Sequence, residues 1–390
     1  MFDFDEIIDR RGTHCAKWDM MEPIFGVSPD DGIAMWVADM DFRPPAEVTD
    51  ALSAAVAHGV FGYYGDDRDY RGAIKGWMSR RHGWEVDADW IHTAHGLVNG
   101  VGLCLKAYTE KGDGVILFTP VYHAFARVIK ANERVVVESP LVRRDGRYEM
   151  DLEGLAASLT GREKMVIHCS PHNPGGRVWD AEETRALAEF CAAHDLLLVS
   201  DEIHHDLVLP GHRHTVAPLA APEHRDRIIM LTASSKTFNL AGGMTGNVII
   251  ENPGLKEKFY KEQAAAGASP NRFGMTMATA AYQHGDAWCD AACAYIAGNA
   301  AIFDEGMAAI PGVTPMRLQA TYLAWADFNP LGMEEEEVKA RIRGKARIAA
   351  NDGFTFGAGG DGFMRFNLAT PRARVIDAVG RLREAFADVQ

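Results

Sequence analysis

Several features are missing from this sequence, and each absence excludes a class of protein. Cysteine is scarce, with 6 in 390 residues and neither a CxxC pair nor the spacing of a metal-binding motif. We therefore expect reduced thiols rather than a disulfide framework or a zinc motif. No apolar stretch is long enough to span a bilayer. Positive charge is in deficit, and a formal net charge of −14 argues against nucleic-acid and anionic membrane partners.

The first twelve residues, MFDFDEIIDRRG, contain no apolar core of the kind found in signal peptides. Together with the scattered cysteines, this favours a cytoplasmic protein. The content of 47% hydrophobic and 24% charged residues is ordinary for a globular protein. The length predicts one large and one smaller domain.

Short apolar runs alternate with helical patterns from residue 91 to 252. Runs such as VILFTP, MVIHCS, LLLVS and IIMLTA predict buried strands. This alternation is typical of α/β proteins with a doubly wound, mostly parallel sheet. We predict an N-terminal arm over 1–45 that joins the small domain, a large domain over 46–285, and a small α+β domain over 286–390.

Four of the predicted strands end at a chemically useful side chain, namely Tyr122, Asn173, Asp201 and Lys236. The carboxyl ends of parallel strands share one edge of a sheet, so we expect these side chains to meet there. An aromatic ring, an amide, a carboxylate and an amine together match what pyridoxal 5′-phosphate requires. Each also has an ordinary alternative: a core tyrosine, a turn asparagine, a capping aspartate or a surface lysine.

Each of the four residues has a distinct role in this interpretation. A partly desolvated Lys236 can form a Schiff base with the aldehyde of the cofactor. Asp201 keeps the pyridine nitrogen protonated, Asn173 donates to the phenolic oxygen, and Tyr122 stacks on the ring. We therefore expect Lys236, Tyr122 and Asp201 to be catalytic.

The phosphate of such a cofactor needs hydrogen-bond donors. Gly96, Leu97 and Val98 begin a predicted helix just after a strand, and the N–H groups of a helix N-terminus bind anions well. Ser235, beside the lysine, adds a hydroxyl donor. We expect these four residues to bind the phosphate.

The same residues lie in longer stretches that resemble a known family. These are TPVYHAF around Tyr122, SPHNPGGRVW around Asn173, SDEIHHDL around Asp201, SSKTFNLAGG around Lys236, and RFNLATPR around Arg365. They look like five landmarks of the fold-type-I pyridoxal-phosphate enzymes of the class I/II aminotransferase superfamily. The resemblance covers essentially the whole chain. The stretch MWVADMDF at 35–42, together with DEIHHDL, resembles the MalY/PatB-type branch of cystathionine β-lyases and cysteine desulfhydrases.

This resemblance implies further site residues and a homodimer with its active sites at the subunit interface. Tyr63 of FGYYG is expected to reach the cofactor phosphate of the partner subunit. Arg365, with Asn173 and with Ala38 of the arm, is expected to bind the substrate. The guanidinium of Arg365 lies between apolar neighbours in the sequence and can bind a substrate carboxylate through two hydrogen bonds. The alternative is that it forms an internal salt bridge.

Two positions differ from many transaminases of the superfamily. Met244 stands eight residues after the lysine, where an arginine often holds the phosphate. His204 stands three residues after Asp201, where a tyrosine is common, and we expect it to bind the cofactor. His204 and His205 have no third ligand nearby in the sequence, so we expect no metal site. The differences from transaminases at Met244 and at His204 both favour the lyase branch.

We therefore predict a C–S β-lyase that uses pyridoxal 5′-phosphate to release pyruvate, ammonia and a thiol from cystathionine or cysteine. Lys236 is expected to remove the Cα proton as a general base. A class I/II aminotransferase is an alternative, because both reactions begin with that proton transfer. A regulatory protein that binds a protein partner and keeps residual lyase activity is a second alternative.

Overall fold

A computed structural model describes residues 2–269 and 271–389, and its largest sheet has seven strands. In spatial order these strands are Ile91–Ala94, Gly246–Ile250, Ile228–Thr232, Leu197–Asp201, Glu163–Cys169, Gly114–Thr119 and Val135–Pro140. The last five of this order pair in parallel. Gly246–Ile250 runs antiparallel to both of its neighbours. The predicted α/β fold with a mostly parallel sheet is confirmed.

Helices cover both faces of this sheet, which explains why its central strands read as continuous apolar runs. Along one strand, Val115 and Leu117 pack into a cluster with the helices Leu97–Tyr108 and Ala124–Ala131. The intervening Ile116 packs on the opposite face, against the helix Ala181–Ala193. Successive residues thus face opposite layers, as the pleat requires.

The helix predicted after Gly96 begins at Leu97 and extends to Tyr108. The α-helices are Ala16–Asp19, Met21–Phe25, Ala46–His58, Arg68–Trp77, Leu97–Tyr108, Ala124–Ala131, Leu152–Ser158, Ala181–Ala193, Ala217–Ala220, Ser234–Thr237, Pro253–Ala265, Arg272–His284, Asp286–Ala308, Glu335–Ala340 and Arg372–Ala385. Two π-helical segments, Met78–His82 and Arg341–Lys345, extend helices, and 3-10 turns span Ala88–Trp90, Pro222–Arg227, Ala241–Gly243, Asn329–Leu331 and Gly353–Phe356. At the start of the helix Ala181–Ala193, Asp180 and Glu183 form a capping box.

A second, antiparallel sheet follows the long helix Asp286–Ala308. Its strands, in spatial order, are Thr314–Pro315, Leu323–Asp327, Phe363–Asn367 and Asn351–Asp352. Two smaller pairings are Ile33–Ala34 with Ile348–Ala349, and the hairpin Val142–Arg144 with Arg147–Glu149. The first of these ties the N-terminal region to the C-terminal part of the chain. The division into 1–45, 46–285 and 286–390 stays a prediction.

Within residues 2–269 and 271–389, no helix combines the length and the apolar character that a membrane span needs.

Candidate active site

The carboxyl ends of the parallel strands border an internal cavity of about 230 Å³. The predicted site residues that line it are Ala38, Gly96, Leu97, Val98, Tyr122, Asn173, Asp201, His204, Ser235 and Lys236. Strand order accounts for this convergence. The strand that ends at Asp201 lies between the strands that lead to Lys236 and Asn173, and the strand that leads to Tyr122 is the next one beyond the Asn173 strand. Two predicted residues, Arg365 and Tyr63, lie outside the lining.

Lys236 is partly buried, and its Nζ atom donates a hydrogen bond of 2.6 Å to the carbonyl of Ala38. Burial lowers its pKa to about 8, while Asp39 and Asp201 oppose this shift. A substantial fraction of the amine is therefore neutral near pH 8, as a nucleophile or general base requires. The hydroxyl of Tyr322 donates to the same carbonyl at 2.9 Å.

Asp201 is buried, and burial raises its pKa from 3.8 to about 7. The N–H of Ile203 donates to its carboxylate at 3.1 Å, and the positive charge of Lys236 also opposes the shift. These two groups only partly compensate the loss of hydration. The carboxylate is thus suited to a ligand that brings a protonated nitrogen to it.

Arg365 is 2% exposed, and its hydrogen-bond partners are neutral. Its guanidinium donates to Asn173 Oδ1 at 2.9 Å, to the carbonyl of Trp36 at 2.7 Å and to Asn351 Oδ1 at 2.6 Å. No carboxylate of the described residues forms an ion pair with it, so the alternative of an internal salt bridge is not realised. Burial lowers its pKa to about 10, and a carboxylate ligand would compensate this buried charge.

Tyr122 and His204 also border the cavity. The ring of Tyr122 packs edge-on against Phe125 at a centroid distance of 5.5 Å, and burial raises its pKa. His204 is 2% exposed, and its Nδ1 atom has no hydrogen-bond partner among the described residues. Burial lowers the pKa of His204, so its ring is neutral. Its unpartnered nitrogen can still bind a polar ligand atom, since buried polar groups are rarely left unsatisfied.

The helix Leu97–Tyr108 begins at the cavity without a side-chain cap. Gly96, at φ 80°, precedes it, so the backbone turns in a conformation that favours glycine. The first N–H groups of the helix can bind an anion in the cavity. Met244 lines the same cavity and supplies no positive charge there.

Tyr63 is 99% exposed in the single chain. It lies in a different, shallow pocket with Phe61, Tyr64 and Arg272. Its own subunit therefore does not bring Tyr63 to the Lys236 cavity. Any role in cofactor binding depends on a second copy of the chain.

Sequence reasoning did not single out three residues that organise the site. Tyr322 donates to the carbonyl of Ala38, and the buried Lys17 donates to Asp41 in the same segment. The two residues are far apart in the sequence, and no local pattern identifies them. Asn367 donates to the carbonyls of Val37 and Asp39 at 2.6 and 2.5 Å. Asn367 lies two residues after Arg365 and therefore on the same face of the strand, so the alternation of side chains along a strand could have identified it.

Comparison with known proteins places this site in a family. The model of the family "Aminotransferase class I and II" matches residues 31–382. The chain belongs to this family.

The relatives of this chain include a protein named as a cystathionine β-lyase. The chain is 37% identical to cystathionine β-lyase PatB of Bacillus subtilis, over 98% of this chain and 100% of PatB. It is 32% identical to the protein MalY of Escherichia coli, over the full length of both. The structure of cystalysin from Treponema denticola, which contains a pyridoxal 5′-phosphate cofactor, matches with a TM-score of 0.95, 36% identity and full coverage of both chains. The resemblance seen in the sequence is confirmed.

Proposed function

We propose that this protein is a pyridoxal 5′-phosphate-dependent C–S β-lyase. The observation that carries the proposal is the convergence of Lys236, Asp201, Asn173 and Tyr122 in one cavity, in a chain 37% identical to a cystathionine β-lyase. The products are pyruvate, ammonia and a thiol. A cytoplasmic location stays a prediction from composition.

The residues of the cavity fit this cofactor. Within the part of the chain that the structure describes, no cationic group donates a hydrogen bond to Asp201, and His204 Nδ1 has no partner. The protonated ring nitrogen would provide the donor for Asp201. Asn173 accepts from Arg365 through Oδ1, so its amide N–H₂ is free to donate to the phenolic oxygen. Lys236 would hold the aldehyde carbon.

The phosphate would be bound at the N-terminus of the helix that begins at Leu97. The N–H groups that follow Gly96 and the hydroxyl of Ser235 would donate to it. Among the residues that line the described cavity, Lys236 is the one lysine or arginine. The helix dipole and a second subunit would therefore compensate the phosphate charge.

When bound, pyridoxal 5′-phosphate supplies an aldehyde that captures the substrate amine and a ring that delocalises the electron pair left at Cα. Lys236 Nζ takes the Cα proton, which its lowered pKa permits near neutral pH. Arg365 and Asn173 fix the α-carboxylate and thereby orient the Cα–H bond. Tyr122, whose pKa is raised by burial, keeps its proton and can donate it to the leaving sulfur.

The arrangement of the arginines in the arm favours a lyase over a transaminase that acts on dicarboxylic acids. Such a transaminase needs a second cation for the side-chain carboxylate. In the arm, Arg10 already pairs with Asp39 and Asp41, which leaves Arg11 and Arg43 as candidates. Arg11 pairs with Asp9, and Arg43 pairs with Glu6, in both cases at the surface. Neither lines the described cavity. Arg365 is then left to bind the one α-carboxylate of the substrate.

We also propose that two copies of the chain form the active unit. Val60, Phe61 and Tyr63 expose apolar surface on one loop, with exposed fractions of 63%, 60% and 99%. Met244, at the mouth of the cavity, is 53% exposed. A second copy seated on this loop would cover these side chains and let Tyr63 reach the phosphate of its partner. Aromatic residues of this kind are enriched in interfaces.

Product analysis tests the function. The holoenzyme is given cystathionine or cysteine without a keto acid, and pyruvate and ammonia are measured. We expect stoichiometric release of both, and none from Lys236→Ala, whose cofactor absorbance also loses the signature of a covalent link to the protein. Amino transfer to an added keto acid, with no pyruvate from either substrate, would favour the aminotransferase alternative.

A further inference from the structure

A second cavity, of about 440 Å³, lies behind the turn that follows Asp201. The turn separates the two cavities, because His204 lines the first, and His205 and Asp206 line the second. His82, from the π-helical segment Met78–His82, lines the second cavity as well. The proposed lyase reaction uses none of these three residues.

The side chains of His82, His205 and Asp206 converge on one point. One ligand atom of each lies within 4.8 Å of the other two. Asp206 Oδ1 is 2.7 Å from His82 Nε2 and 3.3 Å from His205 Nε2. The side chain of His82 is 6% exposed, and those of the other two residues are fully buried.

The hydrogen bonds of His205 leave a lone pair at the centre of this group. Its Nδ1 atom contacts the carbonyl of Glu202, which can only accept, so Nδ1 carries the proton. In a neutral ring, Nε2 then presents a lone pair, which faces the carboxylate of Asp206 at 3.3 Å and the hydroxyl of Thr232 at 3.4 Å. Two acceptors that face each other at 3.3 Å repel, unless a cation lies between them.

Hydrogen bonds from neighbouring residues orient the side chains of His205 and Asp206, as is usual for metal ligands. The carbonyl of Glu202 fixes the tautomer of His205, an arrangement common for histidines that bind metals. Trp77 Nε1 and the hydroxyl of Thr237 donate to the carboxylate of Asp206 at 2.9 and 2.7 Å. The ligands are thus oriented before any ion arrives.

The second cavity supplies access and a further coordination position. It also contains positive charge, from Arg80, Arg81 and Arg213. Arg80 pairs with Asp286, and Arg81 pairs with Asp290, which offsets part of that charge. Water in the cavity can complete a tetrahedral site with three protein ligands.

We propose that His82, His205 and Asp206 bind one Zn²⁺ ion, with water from the second cavity as the fourth ligand. Two imidazoles and one carboxylate suit Zn²⁺, whereas Mg²⁺ and Ca²⁺ prefer sites made of oxygen. No third ligand lies near His205 in the sequence, but the fold brings His82 to it. The ion connects the turn after Asp201 to the segment Met78–His82, and the proposal does not depend on the lyase activity.

Metal titration of the tag-free holoenzyme tests this site. After treatment with a chelator and removal of free cofactor, Zn²⁺ is titrated by calorimetry, and Co²⁺ is used to report the coordination geometry by its absorption. We expect one equivalent to bind and the melting temperature to rise with occupancy. Co²⁺ should give the intense absorption of a four-coordinate ion. Absence of stoichiometric binding would overturn the proposal, and would show that a shared proton alone joins the three side chains.

Variants assign the site. His82→Ala should weaken Zn²⁺ binding by roughly 100-fold or more, because even the loss of a hydrogen-bond partner of a ligand costs about 10- to 100-fold in metal affinity. His212→Ala is the matched control, because His212 lines the same cavity but does not belong to the group of three. Unchanged binding in His82→Ala, or an equal loss in His212→Ala, would contradict the proposal. Because His82 is nearly buried, His82→Gln is a second variant that keeps a hydrogen bond to Asp206, and it should show the same loss.

Discussion

At the residue scale, the unusual feature of Arg365 is that a buried guanidinium has only neutral acceptors. Burying a charge is costly, and the cost is recovered when an opposite charge binds. The carbonyl of Trp36 and the amide oxygens of Asn173 and Asn351 hold the fork in place until then. We propose that substrate carboxylate provides the missing charge.

Replacement of this arginine should therefore affect substrate binding more than cofactor binding. We expect Arg365→Lys to lower kcat/KM for cysteine by about 100-fold or more, because an ammonium cannot form two parallel hydrogen bonds with a carboxylate. The cofactor absorbance should remain. Steady-state kinetics and a cofactor titration separate the two effects, and a variant that loses the cofactor while its KM stays normal would contradict this role.

Asp201 links function to stability through its raised pKa. Its ordinary pKa is 3.8, and burial in the fold raises it to about 7. Between these values the folded state binds more protons than the unfolded state, so stability falls as the pH rises through this range. Above pH 7 the full cost of burying the carboxylate is present.

Asp201→Asn should therefore stabilise the cofactor-free protein, and the gain should grow between pH 5 and pH 8 by on the order of 2 kcal/mol. Urea unfolding at both pH values measures it. The exposed Asp361→Asn is the control and should show no such dependence. The same Asp201 variant should bind the cofactor weakly, since it cannot hold a proton on the ring nitrogen. A gain that shrinks toward pH 8 would contradict this account.

At the scale of structural elements, the segment Trp36–Asp41 positions the active site from the arm. Its carbonyl at Ala38 binds Lys236, and its carbonyl at Trp36 binds Arg365. The fully buried Lys17 anchors the segment through a hydrogen bond of 2.9 Å to Asp41. Burial alone would raise the pKa of Asp41, but Lys17 and Arg10 outweigh it and lower the pKa to about 2.

Loss of this anchor should reduce stability and activity together. We expect Lys17→Met to lower the free energy of unfolding by about 3 kcal/mol, because it leaves a buried carboxylate with one partner fewer. In the double variant with Asp41→Asn, the loss should be smaller than the sum of the single losses. Lys111→Met, which breaks an exposed pair with Glu133, should cost less than about 0.5 kcal/mol. Additive losses in denaturation experiments would show that Lys17 and Asp41 are not coupled.

At the scale of the whole molecule, the cavity of one chain carries little positive charge where the phosphate would bind. The cavity offers a helix N-terminus there and no arginine, while Tyr63 projects away from its own subunit. In a dimer, the partner would add polar groups where the phosphate binds, and it would cover the exposed apolar loop that contains Tyr63. The proposal of shared sites rests on this complementarity.

An aspartate at the exposed Val60 should therefore separate the subunits and weaken cofactor retention. We expect sedimentation of Val60→Asp at about half the native mass, because a charge in an apolar interface lacks a partner. Ile376→Asp is the matched control, since Ile376 is also an exposed apolar residue, at 55%, on the C-terminal helix. Tyr63→Phe should keep the dimer and lose cofactor more easily on dialysis. A native protein that is monomeric and fully active would exclude shared sites.

The sequence by itself determined the sheet and the four side chains at its edge. Apolar runs fix where strands form, and parallel strands must place their carboxyl ends together, so Tyr122, Asn173, Asp201 and Lys236 follow from local order alone. The helix at Leu97 was equally predictable, because a strand, a glycine and a helical pattern follow one another directly. Resemblance to the family added Arg365 on the strength of its flanking motif.

Only the tertiary structure decided which distant residues contact the side chains at the edge of the sheet and His205. It shows that Arg365 has no carboxylate partner among the described residues, that Tyr322 and Lys17 support the segment around Ala38, and that His82 meets His205. It also places Tyr63 outside the cavity of its own chain. Such contacts join residues far apart in the sequence, and they depend on how whole elements pack. Local periodicity records which face of an element is buried, but not which distant side chain it meets there.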